Sequence, residues 1–239
     1  MAETGVPAEM DSRRERTESA RLDNFVDGAF AFAITLLVIS GASLPRDVGA
    51  LEHALRGVPA FAACFAQLVF FWHGHVRWRD AVRLTDHRSL YLSLLLVFFA
   101  LIFVFPLHLV FSGLLNGLSG GALSPDVSSF TGSSRGIAAL FICYGTSFAC
   151  MAGTLALLYR HGARAAARGH QPDTVSLRVD VVVWGYYAAV GVFSTLLALT
   201  LPVRTGWFTG LPGFSFFLLS FTGLVANRYR AYLTRKTTP

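Results

Sequence analysis

Six stretches of this chain are long and apolar enough to cross a bilayer, and that fact leaves few folds open. A hydrocarbon layer is about 30 Å thick and a helix rises about 1.5 Å per residue, so roughly 20 apolar residues make a span. The runs lie near 24–44, 57–76, 90–113, 136–159, 181–203 and 207–227. Short charged clusters separate them, a pattern of lipid-facing helices rather than one water-soluble core. The expected fold is an all-α integral membrane protein with six transmembrane helices. The Gly- and Ser-rich stretch 112–135, with Pro125, reads as a loop. Arg204-Thr205-Gly206, with Pro202 and Pro212 nearby, reads as a tight turn between the last two runs. No internal duplication is evident.

Charge sets the orientation. Only 14% of the residues are charged, against about 25% in soluble domains. The net charge of +6 lies at the ends of the apolar runs, where membrane proteins place arginine, and this argues against a nucleic-acid partner. With an even number of spans, Arg13, Arg14, Arg16, Arg21, Arg77, Arg79, Arg83, Arg88, Arg160, Arg164, Arg168, Arg178, Arg228, Arg230, Arg235 and Lys236 fall on one side. Arg46, Arg56, Arg135 and Arg204 fall on the other. The positive-inside rule then puts both termini in the cytoplasm. The first 20 residues are polar and lack the apolar core of a secretory signal, so the first run is expected to be retained as a span. Residues 1–20 read as a polar cytoplasmic segment, 21–230 as a six-span domain and 231–239 as a cytoplasmic tail. Cys64, Cys143 and Cys150 all sit in apolar runs and read as small buried side chains.

The first span carries an unusual polar group, Asp27, just inside its apolar run. An unpaired carboxylate is costly there. One reading is a helix-start aspartate favoured by the helix dipole and wetted by headgroups. The other is a polar lock. The second span ends in Phe70-Phe71-Trp72-His73-Gly74-His75 and returns to the depth of Asp27, where Arg21, Trp72 and His75 are available donors. Trp72 and His75 also fit an interfacial belt. His73 and His75, two residues apart, do not share a helix face and make a weak metal pair, so no metal site is expected.

These residues bear a family resemblance. The chain resembles the transmembrane-protein-175 family of lysosomal and prokaryotic potassium channels. That family opens its first span with R-x-x-x-F-S-D and continues with a run close to A-I-x-I-T-L-L-V. Arg21, Phe25 and Asp27 match, as does Ala33 to Val38. The W-x-x-H closing the second span matches Trp72 and His75, and a proline inside the third span matches Pro106. The resemblance spans the six-run layout, with its specific motif in the first span. Val26 stands where the family usually has serine, which removes a hydroxyl from the lock. Val76 follows His75 where a second histidine is common, and Leu107-His108 follows Pro106 where a phenylalanine is common.

The resemblance implies a homotetramer of single six-span units, embedded in lipid in the bacterial plasma membrane, with the first spans lining a central pore and no carbonyl-lined filter. No T-V-G-Y-G run is present. The family's constriction maps by spacing from the aspartate to Phe32, Leu36 and Ile39, which share a helical face. From periodicity alone such a stripe is also ordinary packing. A ring of apolar side chains can hold back ions by keeping a narrow segment dry. Selectivity would then come from the width of the ring and from nearby polar groups, Thr35, Ser40 and Ser43. Phe32 is bulkier than the isoleucine common in the family and would narrow the cytoplasmic half. The implied function is a potassium-conducting channel, selective or a cation leak, with potassium as permeant ion and no cofactor. The rivals are a secondary transporter or a proton-permeable protein. Transporters usually carry midplane charges and repeated halves, whereas these spans lack Asp, Glu, Lys and Arg at mid-depth, leaving His108 and Gln67 as candidate substrate contacts. Enzyme motifs such as H-E-x-x-H, G-x-S-x-G or a P-loop are absent, so no enzymatic activity is expected.

Overall fold

The computed structural model describes residues 6–41, 46–82, 84, 86–123, 133–169, 174–200 and 210–237, and these are helical with short connections. In chain order the helices are α1 (Val6–Gly41), α2 (Val48–Arg56), α3 (Val58–Val82), α4 (His87–Ser119), α5 (Ser134–Arg168) and α6 (Thr174–Thr200). Then α7 (Leu211–Phe214) leads through a 3₁₀ segment (Ser215–Phe221) into α8 (Thr222–Thr237). Among the described residues, α1 over Ala20–Ile39, α4, α5 over Arg135–Arg168 and α6 are each long and apolar enough to cross a membrane. The pair α2 and α3, bent by 42° at Gly57, qualifies together as a fifth. The turn expected at Arg204-Thr205-Gly206 and the start of the sixth run lie outside the described residues.

The loop expected over 112–135 begins later than its composition suggests. Helix α4 runs on to Ser119, because Leu114, Leu115 and Leu118 continue its apolar pattern through the glycines. It stops at Gly120, whose left-handed φ of 61° a side chain would resist. The Gly120 and Gly121 amides both turn back to the Asn116 carbonyl, closing the end of the helix.

In lipid, helices gain little from hiding apolar surface and are held by close packing. The tightest pair is α5 with α6. A Cβ at Gly191 would lie 2.9 Å from both the Ala149 amide nitrogen and the Gly145 carbonyl oxygen, so glycine lets the two backbones meet. Phe71 of α3 is fully buried at the middle of an aromatic cluster, its ring 5.3 Å from Phe148, 5.8 Å from Trp184 and 5.9 Å from Phe103. Gly74, one turn on, makes room for Trp184, and its carbonyl accepts the Tyr159 hydroxyl at 3.0 Å. In the last segment the Pro212 carbonyl accepts the hydroxyls of Ser194 and Ser215 at 2.8 and 2.6 Å, and the Leu218 carbonyl accepts Tyr186 at 2.6 Å. Those bonds satisfy carbonyls where the 3₁₀ geometry interrupts the α-helical ladder. Of the cysteines, Cys64 is buried, Cys150 half-buried and Cys143 exposed, so the reading of all three as buried residues fails at Cys143, which faces away from the core.

Candidate functional site: the first helix and its clamp

Helix α1 divides lengthwise. Val26, Phe30, Ala33 and Leu37 recur at steps of three and four residues and are buried against the bundle, with α4 and α3 as neighbours. Phe25, Phe32 and Ile39 recur on the other side and are 54%, 56% and 66% exposed. Gly28 and Thr35 share this outer face. Leu36 lies on its flank, half-buried and packed against the core. Val38 is exposed a third of a turn away from Phe32. Thr35 spends its hydroxyl on the Ala31 carbonyl at 3.1 Å. The side chain of Ser40, and Ser43 altogether, lie outside the described residues.

Near its polar end α1 is held to α3 by carboxylates. The indole N–H of Trp72 donates to Asp27 Oδ1 at 2.8 Å. One turn earlier, Asp23 accepts two bonds from the Arg79 guanidinium, Nε at 2.6 Å and Nη2 at 3.2 Å. Arg79 also donates to the Leu84 carbonyl. Its side chain is only 7% exposed and Asp23's 39%, so this is a largely desolvated fork-on-carboxylate pair. His75 is buried but turns to α4, where its Nε2 meets Ser93 Oγ at 3.0 Å. Arg21 is exposed. Of the polar residues singled out in the sequence, the structure thus joins Asp27 to Trp72 and directs His75 elsewhere. The pair that spacing did not single out is Asp23–Arg79. Its signal was available: Asp23 precedes Asp27 by one turn, and Arg79 follows His75 by one turn on the same face.

Further pairs bind the same end of the bundle. Arg77 of α3 reaches Asp180 of α6 at 3.5 Å. Between α3 and α4, Asp86 accepts His161 at 2.7 Å and the Ser89 hydroxyl at 2.5 Å. Burial pushes the Asp86 carboxyl up, but the bonds from Ser89 and His161 outweigh it and hold the group below its ordinary value. The start of the apolar part of α1, the end of α3, the start of α4, the end of α5 and the start of α6 therefore share one end, where their arginines gather.

This geometry fits what the chain is similar to. Residues 21–106 match the model of the endosomal/lysosomal potassium channel TMEM175. Over that stretch the chain is similar to the TMEM175 family. It is 30% identical over 145 residues to a potassium channel of Marivirga tractuosa, an alignment covering 59% of this chain and 58% of that one. It is 34% identical over 103 residues to a potassium channel of Chamaesiphon minutus, covering 40% and 51%. The matched stretches thus span between half and three-fifths of those relatives' lengths. The fold likeness is wider. A crystal structure of a variant of the potassium channel MtTMEM175, in complex with a nanobody fusion protein, superposes with a TM-score of 0.75 at 25% identity, covering 89% of this chain and 93% of that one. A lysosomal potassium-selective channel TMEM175 homolog from Chamaesiphon minutus gives 0.57 at 23% identity, covering 88% and 99%. Both the Asp27–Trp72 and Asp23–Arg79 pairs lie within the stretch matched by the family model.

Trp72→Phe keeps the ring and removes the N–H that Asp27 accepts. A hydrogen bond to a charged group is worth about 1.5–3 kcal/mol, and the exposure of Asp27 places the loss at the lower end. Thermal melting in detergent is expected to register that loss, with Asp27→Ala similar. Wild-type melting of both variants would make Asp27 a solvated helix start.

Proposed function

We propose that this chain is a TMEM175-family protein and one subunit of a potassium-conducting channel, selective or a cation leak. Four copies assemble, each crossing the membrane six times with both ends in the cytoplasm of a bacterial cell. The observation that carries the reading is the two-sidedness of α1. Val26, Phe30, Ala33 and Leu37 are spent on the bundle, while Phe25, Phe32 and Ile39 are left outside it on one face. Set around a four-fold axis, that face forms a column of apolar rings, with Ile39 and Phe32 innermost and Leu36 at their flank.

The clamps have a role in this reading. A helix that lines a pore needs a fixed rotation, since a turn of one residue would replace Phe32 by another side chain. Trp72 on Asp27 and Arg79 on Asp23 fix that rotation from the bundle side. An apolar ring in a narrow pore excludes water until the segment wets, so the barrier lies in the ring rather than in carbonyl ligands. Thr35, on the same face, supplies the nearest hydroxyl, and Ser40 and Ser43 are proposed to follow it toward the far mouth. Arg21, Phe25 and His75 belong to the support: Phe25 begins the outer face, and His75 ties α3 to α4 through Ser93.

Purified protein reconstituted in a planar bilayer with a potassium gradient is expected to give discrete unitary currents. Slow saturable flux without unitary steps would favour a secondary transporter, and currents that follow a proton gradient alone would favour a proton pathway.

A further inference from the structure

The arginines at the end of α5 surround a space. A cavity of about 580 Å³ opens between α5, α6 and α8, lined by Arg160, Arg164, Arg168 and Arg178 with Tyr229 and Val181 among its other walls. Ligand pockets commonly hold about 300–1,000 Å³. Arg160, Arg164 and Arg168 follow at four-residue steps on one face of α5, a spacing at which like charges repel. Among the described residues, the ion pairs use other cations: Asp180, two residues from Arg178, reaches to Arg77 at 3.5 Å. The Arg168 Nε donates to the Arg164 carbonyl at 3.3 Å, which fixes one fork of the set.

Two ordinary explanations cover part of this. Basic residues at a cytoplasmic boundary satisfy the positive-inside rule, and cations at a helix C-terminus complement its dipole. Arg164 and Arg168, in the last turns of α5, fit the second. Arg178 does not, because it sits near the start of α6, where the dipole disfavours a cation. Arg178 fits the first explanation alone, and a counter-anion held among the four would remove the repulsion between them. Guanidinium forks match phosphate oxygens in pairs. The remaining lining is apolar or aromatic: Ala163, Ala167, Val181 and the half-buried Tyr229.

We infer that this cavity binds a phosphate-bearing anion. A lipid headgroup and a soluble phosphate compound share that chemistry. A basic pocket between helices at the cytoplasmic face is suited to the first.

The test uses the full chain in an uncharged detergent and follows thermal melting. One arm adds phosphatidylglycerol in phosphatidylcholine mixed micelles, and the other adds inorganic pyrophosphate. Arginines near an anionic surface contribute roughly fivefold each in affinity, so R164Q/R178Q is expected to raise the half-saturating phosphatidylglycerol concentration roughly 25-fold. R178Q alone should raise it roughly fivefold, which covers the event that the double variant fails to fold. R56Q/R88Q, with the same change in net charge and no part in the cavity, should leave it unchanged. Stabilisation by pyrophosphate but not by phosphatidylglycerol, lost in R178Q, keeps the site and makes its ligand soluble. No stabilisation by either probe, or weakening in R56Q/R88Q as large as in R164Q/R178Q or larger than in R178Q, overturns the inference.

Discussion

Asp23→Ala is expected to be among the most destabilising single changes in the chain. Arg79 is 7% exposed, and Asp23 accepts two of its N–H groups at 2.6 and 3.2 Å. Removing the carboxylate takes both of these bonds from a guanidinium buried between α1 and α3 and leaves its charge without a counter-ion from α1. Breaking a buried pair by deleting one partner costs about 3–5 kcal/mol. Because Asp23 is 39% exposed, water recovers part of this, and about 2–3 kcal/mol is expected. The check is thermal melting in detergent, repeated for D23A/R79M. Taking away the stranded charge as well should return part of the loss, since the double change leaves no unpaired ion. Additive losses in the double variant, or wild-type melting of D23A, would mean that the pair does not clamp α1.

The second large effect concerns conduction rather than stability. If Phe32, Leu36 and Ile39 form the constriction, a polar side chain there lets water into the segment and lowers the cost of ion entry. The protomer ranks the three. Phe32 and Ile39 are the outermost, while Leu36 is partly engaged with the core, so Ile39→Ser and Phe32→Ala are expected to raise unitary conductance more than Leu36→Ser. Ion preference should fall in parallel, because a wider wet ring discriminates less. Val38→Ser, exposed on α1 but off this face, should change conductance little. Ala33→Ser is a packing change in the core and should act on melting instead. Equal conductance changes at Val38 and Ile39 would mean that α1 packs the assembly and ions pass elsewhere.

How far the sequence could be read depended on how each feature is encoded. Long apolar runs are carried by length and composition, which survive without knowledge of neighbours, so α1, α4, α5 and α6 stand out in the sequence as they do in the structure. The two faces of α1 were legible from periodicity, but which face meets the bundle was not. Val26, Phe30, Ala33 and Leu37 are as apolar as Phe25, Phe32 and Ile39, and composition does not separate protein-facing from other apolar surface in lipid. The Asp27–Trp72 contact followed from matching depths on antiparallel helices. His75 shared that depth, yet a side chain at the end of α3 has a choice of neighbours, and Ser93 on α4 lay closer to its face. Asp23 was not singled out, because it lies outside the apolar run and its partner Arg79 reads as one more boundary arginine until α1 and α3 are packed together. The end of α4 was misjudged because its glycines and serines suggest a loop, while the leucines between them keep the helix going to Gly120.

The most direct measurement of the central claim is the reversal potential of wild type and Ile39→Ser, recorded in the same bilayers with potassium on one side and sodium on the other. A pore whose barrier is the apolar face of α1 predicts a wild-type reversal potential displaced toward that of potassium, and an Ile39→Ser value moved toward zero with larger unitary currents. Identical reversal potentials and conductances for the two proteins would contradict it, because ions would then cross without meeting that face.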